Sequence, residues 1–488
     1  MLVSDIIFNT DIKTDVPCPS VDIKTVSTIP EIEADGVLFV SLGGDLEREK
    51  RAAMTGASAI LCEGEPRHHS VPVLYSGNIR RDYALIAKRL SGFEDGRLRI
   101  IGVTGTNGKT TVATLIYKML NSLGRRCAFI GTGKIETPEK KLSGEFYSMT
   151  TPDPNVLYPA LKEITDLGCE FLVMEVSSHS LYYDKTAPLS FELSVFTNLS
   201  REHMDFHKNT EDYYRAKKKL GALSKKMIIN LDDAYGRRLY SELSCEKIGV
   251  GALFEGDVRI KNISGGGFSK TEYLYFKDNL VFIAKTSLIG LYNVYNTALA
   301  LTAVCELGIK PYLARRALLA VESVEGRFEV ISEKPRVVID YAHTSEGISC
   351  FLKALRAATG GAKITALFGA GGERDKEKRP KMAKAAERYA DLIIVTCDNP
   401  RREDKNAIIK DIVKGFGEGA LYKVIPDRAE AISYAIREAK ESDVVAIIGK
   451  GSEGYLVEGG EYRRFSDKSC ALSALAGLEV VKEFENQA

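Results

Sequence analysis

The chain has 488 residues, of which 44% are hydrophobic and 27% charged, and its formal net charge is +1. This length predicts about three globular domains. The near-neutral charge gives no bulk attraction to nucleic acid or membranes, and no apolar run approaches the ~18 residues of a membrane span, so neither partner is expected. The nine cysteines are scattered singly, which is typical of reduced thiols in a cytosolic protein. The first residues carry Asp5 and Asp11 and have no continuous apolar core, so we do not expect them to act as a signal peptide.

The first predicted domain is a small α/β unit covering residues 1–96. It contains the apolar run "GVLFVSL" and a helix-like run over Asp45–Met54. The polar, glycine-containing stretch Ser91–Arg99 follows and predicts a linker.

The second predicted domain covers residues 97–325, where strands and helices alternate. "LRIIGVTG" predicts a buried strand, and "TVATLIYKML" has apolar side chains at helical spacing, with Gly124 as the expected stop. "EFLVMEV" and "LSVFTNL" predict further buried strands. This alternation indicates a parallel sheet covered by helices on both faces.

The third predicted domain covers residues 326–488 and repeats the doubly wound, Rossmann-like pattern. Its four apolar runs are "RVVIDYAH", "KITALFGAGG", "DLIIVTCDNPR" and "DVVAIIGKGSE", and each ends in polar residues. Ligands of open α/β sheets bind outside the carboxyl ends of the strands. Loops are polar in any case, but four successive polar strand ends favour a binding surface over that simpler explanation.

The stretch "GVTGTNGKTT" predicts a phosphate-binding loop between a strand and a helix. Val103 occupies the place of the first glycine of the strict P-loop pattern, but the rest of the pattern is present. Backbone N–H groups and the helix N-terminus bind phosphate, Lys109 can reach the β- and γ-phosphates, and Thr110 offers a hydroxyl to Mg²⁺. The alternative is a glycine-rich turn with an incidental lysine. The predicted ATP-binding residues here are Gly105, Thr106, Asn107, Gly108, Lys109, Thr110 and Thr111.

A metal site is also expected beside this loop. Glu175 ends a buried strand and supplies the hard oxygen that Mg²⁺ prefers. Any single histidine is more often structural than functional. Four of the six, however, lie in motifs that together with the loop favour a nucleotide–metal site: His179, His203, His207 and His343. Three lysines are adjacent in "YYRAKKKL", where a solvated helix face is the simple explanation for Lys218 and Lys219.

Eleven motifs, in family order between residues 100 and 455, together resemble the Mur ligases, and most of all their E-type branch. They are "TGTNGKTT", "TTPDP", "MEVSSH", "FTNLSREHMDFH", "YRAK", "LYNVYN", "EGRFE", "DYAHT", "GAGGERDKEKRPKM", "DNPR" and "GKGSE". The resemblance implies an N-terminal UDP-substrate domain, a central P-loop-type ATPase domain and a C-terminal amino-acid-binding domain. It implies ATP and Mg²⁺ as cofactors, a cytoplasmic enzyme of peptidoglycan synthesis and cell wall biogenesis, and we expect a monomer.

The resemblance also assigns roles to individual residues. It implies that Lys217 carries a carbamate, whose oxygens bind magnesium as an unmodified lysine could not. The catalytic residues would be Lys109, Lys217, His203 and Arg327, and the metal ligands Thr110, Glu175, His203 and Lys217. Further ATP contacts would come from Asn293, Asn296, Arg327, Asp340 and His343. The UDP-substrate would contact Ser27, Thr150, Thr151, Ser177 and Lys185.

The implied reaction activates the D-glutamate carboxylate of UDP-N-acetylmuramoyl-L-alanyl-D-glutamate as an acyl phosphate, which an amine then attacks. Arg401 and Arg374 could hold the second carboxylate of meso-2,6-diaminopimelate, with Glu453 on its distal ammonium, so we expect this amino acid rather than L-lysine. L-Lysine remains an alternative substrate. Arg402 and Glu403 follow Arg401 directly, so Arg401 could simply belong to a charged loop tip without binding a carboxylate. The predicted amino-acid-binding residues are Arg374, Asp398, Asn399, Arg401, Gly449 and Glu453.

Departures from the family pattern keep two further alternatives open. Ser452, Ala370, Lys185 and Glu202 replace the usual His, Cys, Arg and Asp, and Ser27-Thr28 stands where "DSR" is usual. A paralogous ligase with another carboxylate donor is one alternative. A binding or regulatory protein without catalysis is the other, against which the complete magnesium set argues.

Overall fold

The computed structural model describes residues 1–15, 20–64, 69–144, 147–204 and 206–485, with side chains described as far as residue 477. Three β-sheets, each with accompanying helices, follow one another along the chain, and a two-stranded hairpin follows the third sheet. This confirms the predicted α/β class. None of the helices in the described ranges is long and apolar enough to cross a membrane. None of the eight cysteines in these ranges forms a disulfide bond with another described residue, and Cys18 lies outside the described residues.

The N-terminal sheet has five strands in the order β1-β5-β4-β3-β2, parallel except for β1. The apolar run "GVLFVSL" contains β3, and the Asp45 carboxylate accepts hydrogen bonds from two backbone N–H groups to begin the helix of the helix-like run. The elements are α1 (Val3–Ile7), β1 (Lys13–Thr14), β2 (Thr25–Ser27), β3 (Val37–Val40), α2 (Leu46–Thr55), β4 (Ala59–Glu63), β5 (Val73–Ser76) and α3 (Ile79–Ser91).

The central sheet has ten strands in the order β15-β14-β13-β12-β11-β10-β6-β9-β7-β8. Its elements are β6 (Arg99–Thr104), α4 (Lys109–Ser122), β7 (Cys127–Gly131), β8 (Lys134–Glu136), α5 (Pro154–Asp166), β9 (Phe171–Glu175), α6 (Ser178–Tyr182), β10 (Phe191–Phe196), α7 (Thr210–Ala222), β11 (Ser224–Asn230), α8 (Ala234–Glu242), β12 (Glu246–Gly251), β13 (Val258–Ser264), β14 (Thr271–Lys277), β15 (Leu280–Thr286), α9 (Leu291–Glu306) and α10 (Pro311–Leu319).

The neighbouring strands β13-β12-β11-β10-β6-β9-β7 of this sheet are parallel, as predicted for the alternating segment. The sequence analysis missed the antiparallel meander β13–β14–β15 at one edge and the antiparallel β8 at the other. Strand β8 has only three residues, and strands β13, β14 and β15 are partly exposed, so none of the four has the continuous apolar run that identified the buried parallel strands.

The C-terminal sheet has six strands in the order β16-β17-β21-β18-β19-β20. The four predicted apolar runs are the parallel neighbours β17, β21, β18 and β19, so their polar ends meet at one edge as expected. The elements are β16 (Glu329–Glu333), β17 (Arg336–Asp340), α11 (Ser345–Thr359), β18 (Ile364–Phe368), α12 (Lys378–Glu387), β19 (Leu392–Val395), α13 (Lys405–Val413), β20 (Tyr422–Val424), α14 (Arg428–Arg437), β21 (Val444–Ile448), β22 (Tyr455–Glu458), β23 (Glu461–Arg464) and α15 (Asp467–Glu485).

The N-terminal and central sheets share one apolar core. Leu38 and Leu61 of the first sheet belong to the same buried cluster as Ile130 and Leu157 of the central unit. The predicted linker is held against this core, because its Phe93 and Leu98 are each only 5% exposed. The predicted boundaries near residues 96 and 325 fall between the sheets and stay predictions.

Candidate active site between the central and C-terminal sheets

The phosphate-binding loop joins β6 to α4, and two of its glycines are required by geometry. Gly105 has φ +143° and Gly108 has φ +87°, which other residues rarely adopt. A Cβ on Gly105 would lie 1.9 Å from the Thr197 hydroxyl oxygen, and one on Gly108 would lie 2.5 Å from Asn296 Oδ1. The backbone is therefore packed too closely for side chains at these two positions. The Thr106 and Asn107 N–H groups already donate to Asn198, so the N–H groups at the start of α4 are the ones that would bind an anion.

Two lysines share one carbonyl oxygen of this loop. Lys109 Nζ donates to the carbonyls of Gly105 at 3.1 Å and Thr106 at 2.8 Å, and Lys217 Nζ donates to Gly105 at 2.7 Å. Lys217 is only 1% exposed. Burial, followed by the charge of Lys109, holds the pKa of Lys217 well below its ordinary value, and burial also lowers the pKa of Lys109. Lys218 and Lys219 instead form partly exposed ion pairs with Glu242 and Asp184.

Glu175 is a fully buried carboxylate at the end of β9. Both of its oxygens lie 3.0 Å from the Thr110 hydroxyl, and one accepts the Thr132 N–H at 2.9 Å. A Cβ on Gly131 would lie 2.4 Å from the same carboxylate, so a glycine is needed there. Among the described residues no Lys, Arg or His forms an ion pair with Glu175, so the site has a buried charge that a bound cation would neutralise.

His203 lies in the loop after β10 with φ +58°, a strained conformation for a non-glycine residue. Burial, then the charges of His179, Lys109 and Lys217, lower its pKa to about 2. Its imidazole is therefore neutral near pH 7, the form that binds metals. His207 is buried and its Nε2 lies 3.0 Å from the Ser178 hydroxyl, which indicates a structural role.

No group of three His, Cys, Asp or Glu side chains within the described ranges could hold a metal ion. A magnesium site here would therefore need the mixed set predicted from the sequence, with a hydroxyl and a modified lysine beside Glu175 and His203.

The C-terminal unit reaches the phosphate loop through Arg327. Its Nη2 donates to the Thr110 hydroxyl at 2.9 Å, and its guanidinium lies 4.1 Å from the centre of the Tyr341 ring. The buried Asp340 carboxylate accepts the Phe328 and Ala342 N–H groups at 2.8 Å each, which fixes the turn that carries Arg327. Burial raises the pKa of Asp340.

His343 lies at the contact between the two units. Its Nδ1 is 3.1 Å from the Tyr341 carbonyl oxygen, and its Nε2 is 3.7 Å from Glu202 of the central unit. Burial lowers the pKa of His343, and the charge of Glu202 opposes that shift. On the other side of the loop, Asn296 Nδ2 donates to Asn293 Oδ1 at 3.0 Å, so this predicted pair is buried directly against Gly108.

The predicted amino-acid loop follows β19 and forms a polar network with the end of β21. Asn399 Nδ2 donates to Glu453 at 3.0 Å, and Lys450 Nζ donates to Asn399 at 3.2 Å and Glu453 at 3.0 Å. Glu453 thus already has a cationic partner in Lys450, which the sequence analysis did not consider. Gly449 has φ +121°, and a Cβ there would lie 2.9 Å from Asp398 Oδ2.

Arg401 and Arg374 lie near each other at the same loop. Arg401 has φ +57°, and its Nη1 donates to the Gly372 carbonyl at 2.7 Å. A Cβ on Gly371 would lie 3.1 Å from Arg401 Nη1 and 3.8 Å from Arg374 Cγ, which places both arginines beside one backbone position. Neither arginine forms an ion pair with a carboxylate of the described residues, so both are available for an anionic ligand.

The alternative interpretation of Arg402 and Glu403 as a charged loop tip is correct for Arg402 only. Glu403 accepts both Nη groups of Arg379, at 2.8 and 2.7 Å, and Arg379 is fully buried. Arg379 lowers the pKa of Glu403 to about 2, chiefly through these hydrogen bonds. Glu403 therefore ties the loop to α12, and Arg402 remains exposed.

Four of the predicted UDP-substrate residues lie around the end of β9. Thr151 Oγ1 donates to the Glu175 carbonyl at 2.9 Å and accepts the Ser177 N–H at 3.1 Å, and Thr150 Oγ1 lies 3.1 Å from Thr132 Oγ1. Lys185 Nζ pairs with Asp153 at 2.6 Å. Ser27 is separate, on the edge strand β2 of the N-terminal sheet, where its hydroxyl bonds within its own turn.

Several residues of this region were missed by the sequence analysis. Asn198 brackets the phosphate loop, because its side chain accepts the Asn107 N–H and donates to the Asn107 carbonyl, both at 3.0 Å. Thr132 supports Glu175, and Glu202 was noted only as a mild replacement. Thr132 directly follows β7 and Asn198 lies two residues after β10, and a position just after a buried strand was the available signal.

Known proteins similar to this chain share its architecture and its motifs. The model of the Mur ligase middle domain matches residues 103–304, and that of the Mur ligase glutamate ligase domain matches residues 326–451. The UDP-N-acetylmuramoyl-L-alanyl-D-glutamate--2,6-diaminopimelate ligase of Aquifex aeolicus is 42% identical over 88% of both chains. The ligase of the same name from Clostridioides difficile is 35% identical over 98% of this chain and 100% of its own length.

Solved structures of related proteins share the fold of this chain. A structure of a ligase of the same name covers 98% of this chain and 99% of its own, with 29% identity and a TM-score of 0.68. The folylpolyglutamate synthase of Mycobacterium tuberculosis shares only the fold, with 17% identity, a TM-score of 0.62, and 76% of this chain and 92% of its own covered. The resemblance seen in the sequence is confirmed, and the chain belongs to the Mur ligase family.

Proposed function

We propose that this chain is an ATP-dependent ligase that joins meso-2,6-diaminopimelate to the D-glutamate carboxylate of UDP-N-acetylmuramoyl-L-alanyl-D-glutamate, in peptidoglycan precursor synthesis. The observation that carries the proposal is that the phosphate-binding loop of the central unit contacts the turn of the C-terminal unit that carries Arg327. Arg327 of the C-terminal unit donates a hydrogen bond to Thr110 of the phosphate loop. The same C-terminal unit carries Asn399, Arg401 and Glu453 at the ends of its strands. Relatives bearing this ligase name match nearly the whole chain.

A carboxylate is a poor electrophile, so the reaction requires activation. The γ-phosphoryl group of ATP is transferred to the D-glutamate carboxylate, which gives an acyl phosphate and ADP. The amine then attacks the acyl carbon and phosphate leaves. Lys109 and Arg327 would stabilise the charge of the transferring group, because both lie at the phosphate loop.

The residues at the loop fit Mg²⁺. The buried Glu175 carboxylate lacks a counter-ion among the described residues, Thr110 presents a hydroxyl to it, and His203 is neutral. Burial lowers the pKa of Lys217, which favours the uncharged form that adds CO₂, and the resulting carbamate would complete the oxygen ligands. When bound, magnesium would neutralise phosphate charge. The predicted cytoplasmic location and monomeric state stay predictions.

The amino-acid preference rests on the two arginines without ion-pair partners. Arg374 and Arg401 lie beside Gly371, at the end of β18 and after β19. The second carboxylate of meso-2,6-diaminopimelate would bind them, and L-lysine would leave them unpaired. The UDP-substrate would extend from Thr150 and Thr151 towards the N-terminal sheet, with Lys185 in the place of the family arginine.

The first test is phosphate release by the purified enzyme with ATP, Mg²⁺ and UDP-N-acetylmuramoyl-L-alanyl-D-glutamate. We expect release with meso-2,6-diaminopimelate, little with L-lysine, and none without the dipeptide. Silence with both amino acids, from protein that still binds ATP, would contradict the assigned donor and favour the paralogue with another carboxylate. Equal release with both amino acids would contradict the role of the arginines.

A further inference from the structure

Lys378, the first residue of α12, is a lysine to which the proposed chemistry gives no task. It is half-buried, and its Nζ donates to the His343 carbonyl oxygen over a long 3.4 Å. Burial lowers the pKa of Lys378, while the charges of Glu202 and Asp398 oppose the shift. Its ammonium group is therefore partly desolvated and only weakly hydrogen-bonded.

The position of Lys378 lies between the two halves of the site. Glu202 precedes His203 and lies on the phosphate-loop side, where it faces His343 at 3.7 Å. Asp398 opens the loop that carries Arg401 on the amino-acid side. Both carboxylates act on Lys378 electrostatically, but neither these nor any other carboxylate of the described residues forms an ion pair with it.

A desolvated ammonium without a counter-ion is costly, unlike the paired cations around it. Lys450 has Glu453 at 3.0 Å, and Arg379 has Glu403 at 2.7 Å. Lys378 is thus a cation that faces the contact between the phosphate loop and the amino-acid loop with its charge unmatched. An anion that arrives with the substrates would neutralise this charge.

We propose that the Lys378 ammonium binds the phosphoryl oxygens of the acyl phosphate and stabilises the phosphate as it departs. The proposal rests on the proposed function. In this step the amine nitrogen forms a bond to the acyl carbon, and the bond from that carbon to the phosphoryl oxygen breaks. The phosphate takes the electron pair of the broken bond, and the nitrogen releases its surplus proton to solvent. A fixed cation beside the leaving oxygen stabilises the charge that develops there.

The other anions of the reaction have other partners. Lys109 and Arg327 already lie at the phosphate loop, where ATP would bind, and the free carboxylate of the amino acid is assigned to Arg374 and Arg401. Lys378 lies between these groups, so the anion left for it is the phosphoryl group after its transfer.

The test compares Lys378→Met and Lys378→Arg with the wild-type enzyme, all full-length and with ATP, Mg²⁺, dipeptide and meso-2,6-diaminopimelate. Lys381→Met is the matched control, because Lys381 is on the same helix with its side chain 63% exposed. We expect Lys378→Met to lower kcat by roughly 100- to 1,000-fold, the usual effect of removing one charge-stabilising donor. We expect KM for the amino acid to change less than about threefold, and Lys378→Arg to recover much of the loss, since it keeps the cation.

A second readout separates the two half-reactions. Without amino acid, reversible acyl-phosphate formation scrambles the bridging oxygen of labelled ATP, and we expect this exchange to persist in Lys378→Met. Exchange lost in step with amide formation would overturn the proposal, because Lys378 would then act in phosphoryl transfer or in folding. A raised KM for the amino acid at unchanged kcat, or an arginine variant as slow as the methionine variant, would overturn it as well. A fully active Lys378→Met would overturn this proposal alone, whereas an inactive wild-type enzyme would overturn the proposed function and this proposal with it.

Discussion

At the scale of single residues, the site combines buried charges that have partners with a few that lack them. Glu453 and Glu403 are matched by Lys450 and Arg379. Glu175 is buried without an ion pair among the described residues, and Arg401, on the amino-acid loop of the C-terminal unit, has no ion-pair partner among them either. Unmatched charges are costly in a folded protein, so their presence indicates where ligands bind.

Arg401→Ala should weaken the use of meso-2,6-diaminopimelate far more than any residual use of L-lysine. The reason is that only the former carries a second carboxylate for the guanidinium, and losing one charge-assisted pair costs roughly 1.5–3 kcal/mol, or about 10- to 150-fold in kcat/KM. Steady-state phosphate release with each amino acid measures the two ratios. Arg402→Ala is the matched control, because Arg402 is the exposed neighbour on the same loop. Equal losses for both amino acids would contradict the assignment.

At the scale of elements, buried arginines hold the loops at the ends of the C-terminal strands. Arg379 on α12 binds Glu403 and Asp411, which ties the loop after β19 to two helices. Arg428 donates to the Cys397 and Ile448 carbonyls at the ends of β19 and β21 and pairs with Asp467 of α15. The positions of the amino-acid-binding side chains therefore depend on contacts with helices that carry none of them.

Glu403→Gln should lower thermal stability and raise KM for the amino acid. Arg379 depresses the pKa of Glu403 from 4.5 to about 2, so the carboxylate contributes stability fully above about pH 4.5 and loses it as the pH falls towards 2. Thermal midpoints across this range should show the largest gap between wild type and variant at the upper end, about 2–4 °C for each kcal/mol lost. Glu418→Gln, at an exposed position, should show no gap. A gap that grows as the pH falls would contradict the assigned pair.

The sequence predicted the parts of the site that are local. The phosphate loop and the polar strand ends follow from short motifs and from the rule that parallel strands end at one edge. The pairs Glu202–His343, Arg379–Glu403 and Arg327–Thr110 join residues far apart in the chain, so no motif contains them. The antiparallel β13–β15 meander was missed because half-exposed strands lack continuous apolar runs.

At the scale of the whole molecule, the three sheets would bring the three proposed substrates together. The N-terminal and central sheets share an extensive apolar core. The central and C-terminal units meet through polar contacts, such as Arg327 with Thr110 and His343 with Glu202, and through a smaller apolar contact in which Ile289 and Phe268 pack against the C-terminal core. Few apolar residues of the central unit join the C-terminal core, and such a contact opens at lower cost than an extensive shared core. We therefore expect substrate entry and product release to occur by movement of the C-terminal unit, with the other two moving as one.

The central claim is that the enzyme chooses both the dipeptide carboxylate and the amino acid with two carboxylates. The most direct measurement is the mass of the product from one reaction that contains ATP, Mg²⁺, UDP-N-acetylmuramoyl-L-alanyl-D-glutamate and equal concentrations of meso-2,6-diaminopimelate and L-lysine. We predict a single UDP-linked product with the mass of the diaminopimelate adduct. A lysine adduct in equal or greater amount would contradict the assigned specificity, and the absence of both adducts would contradict the assigned donor.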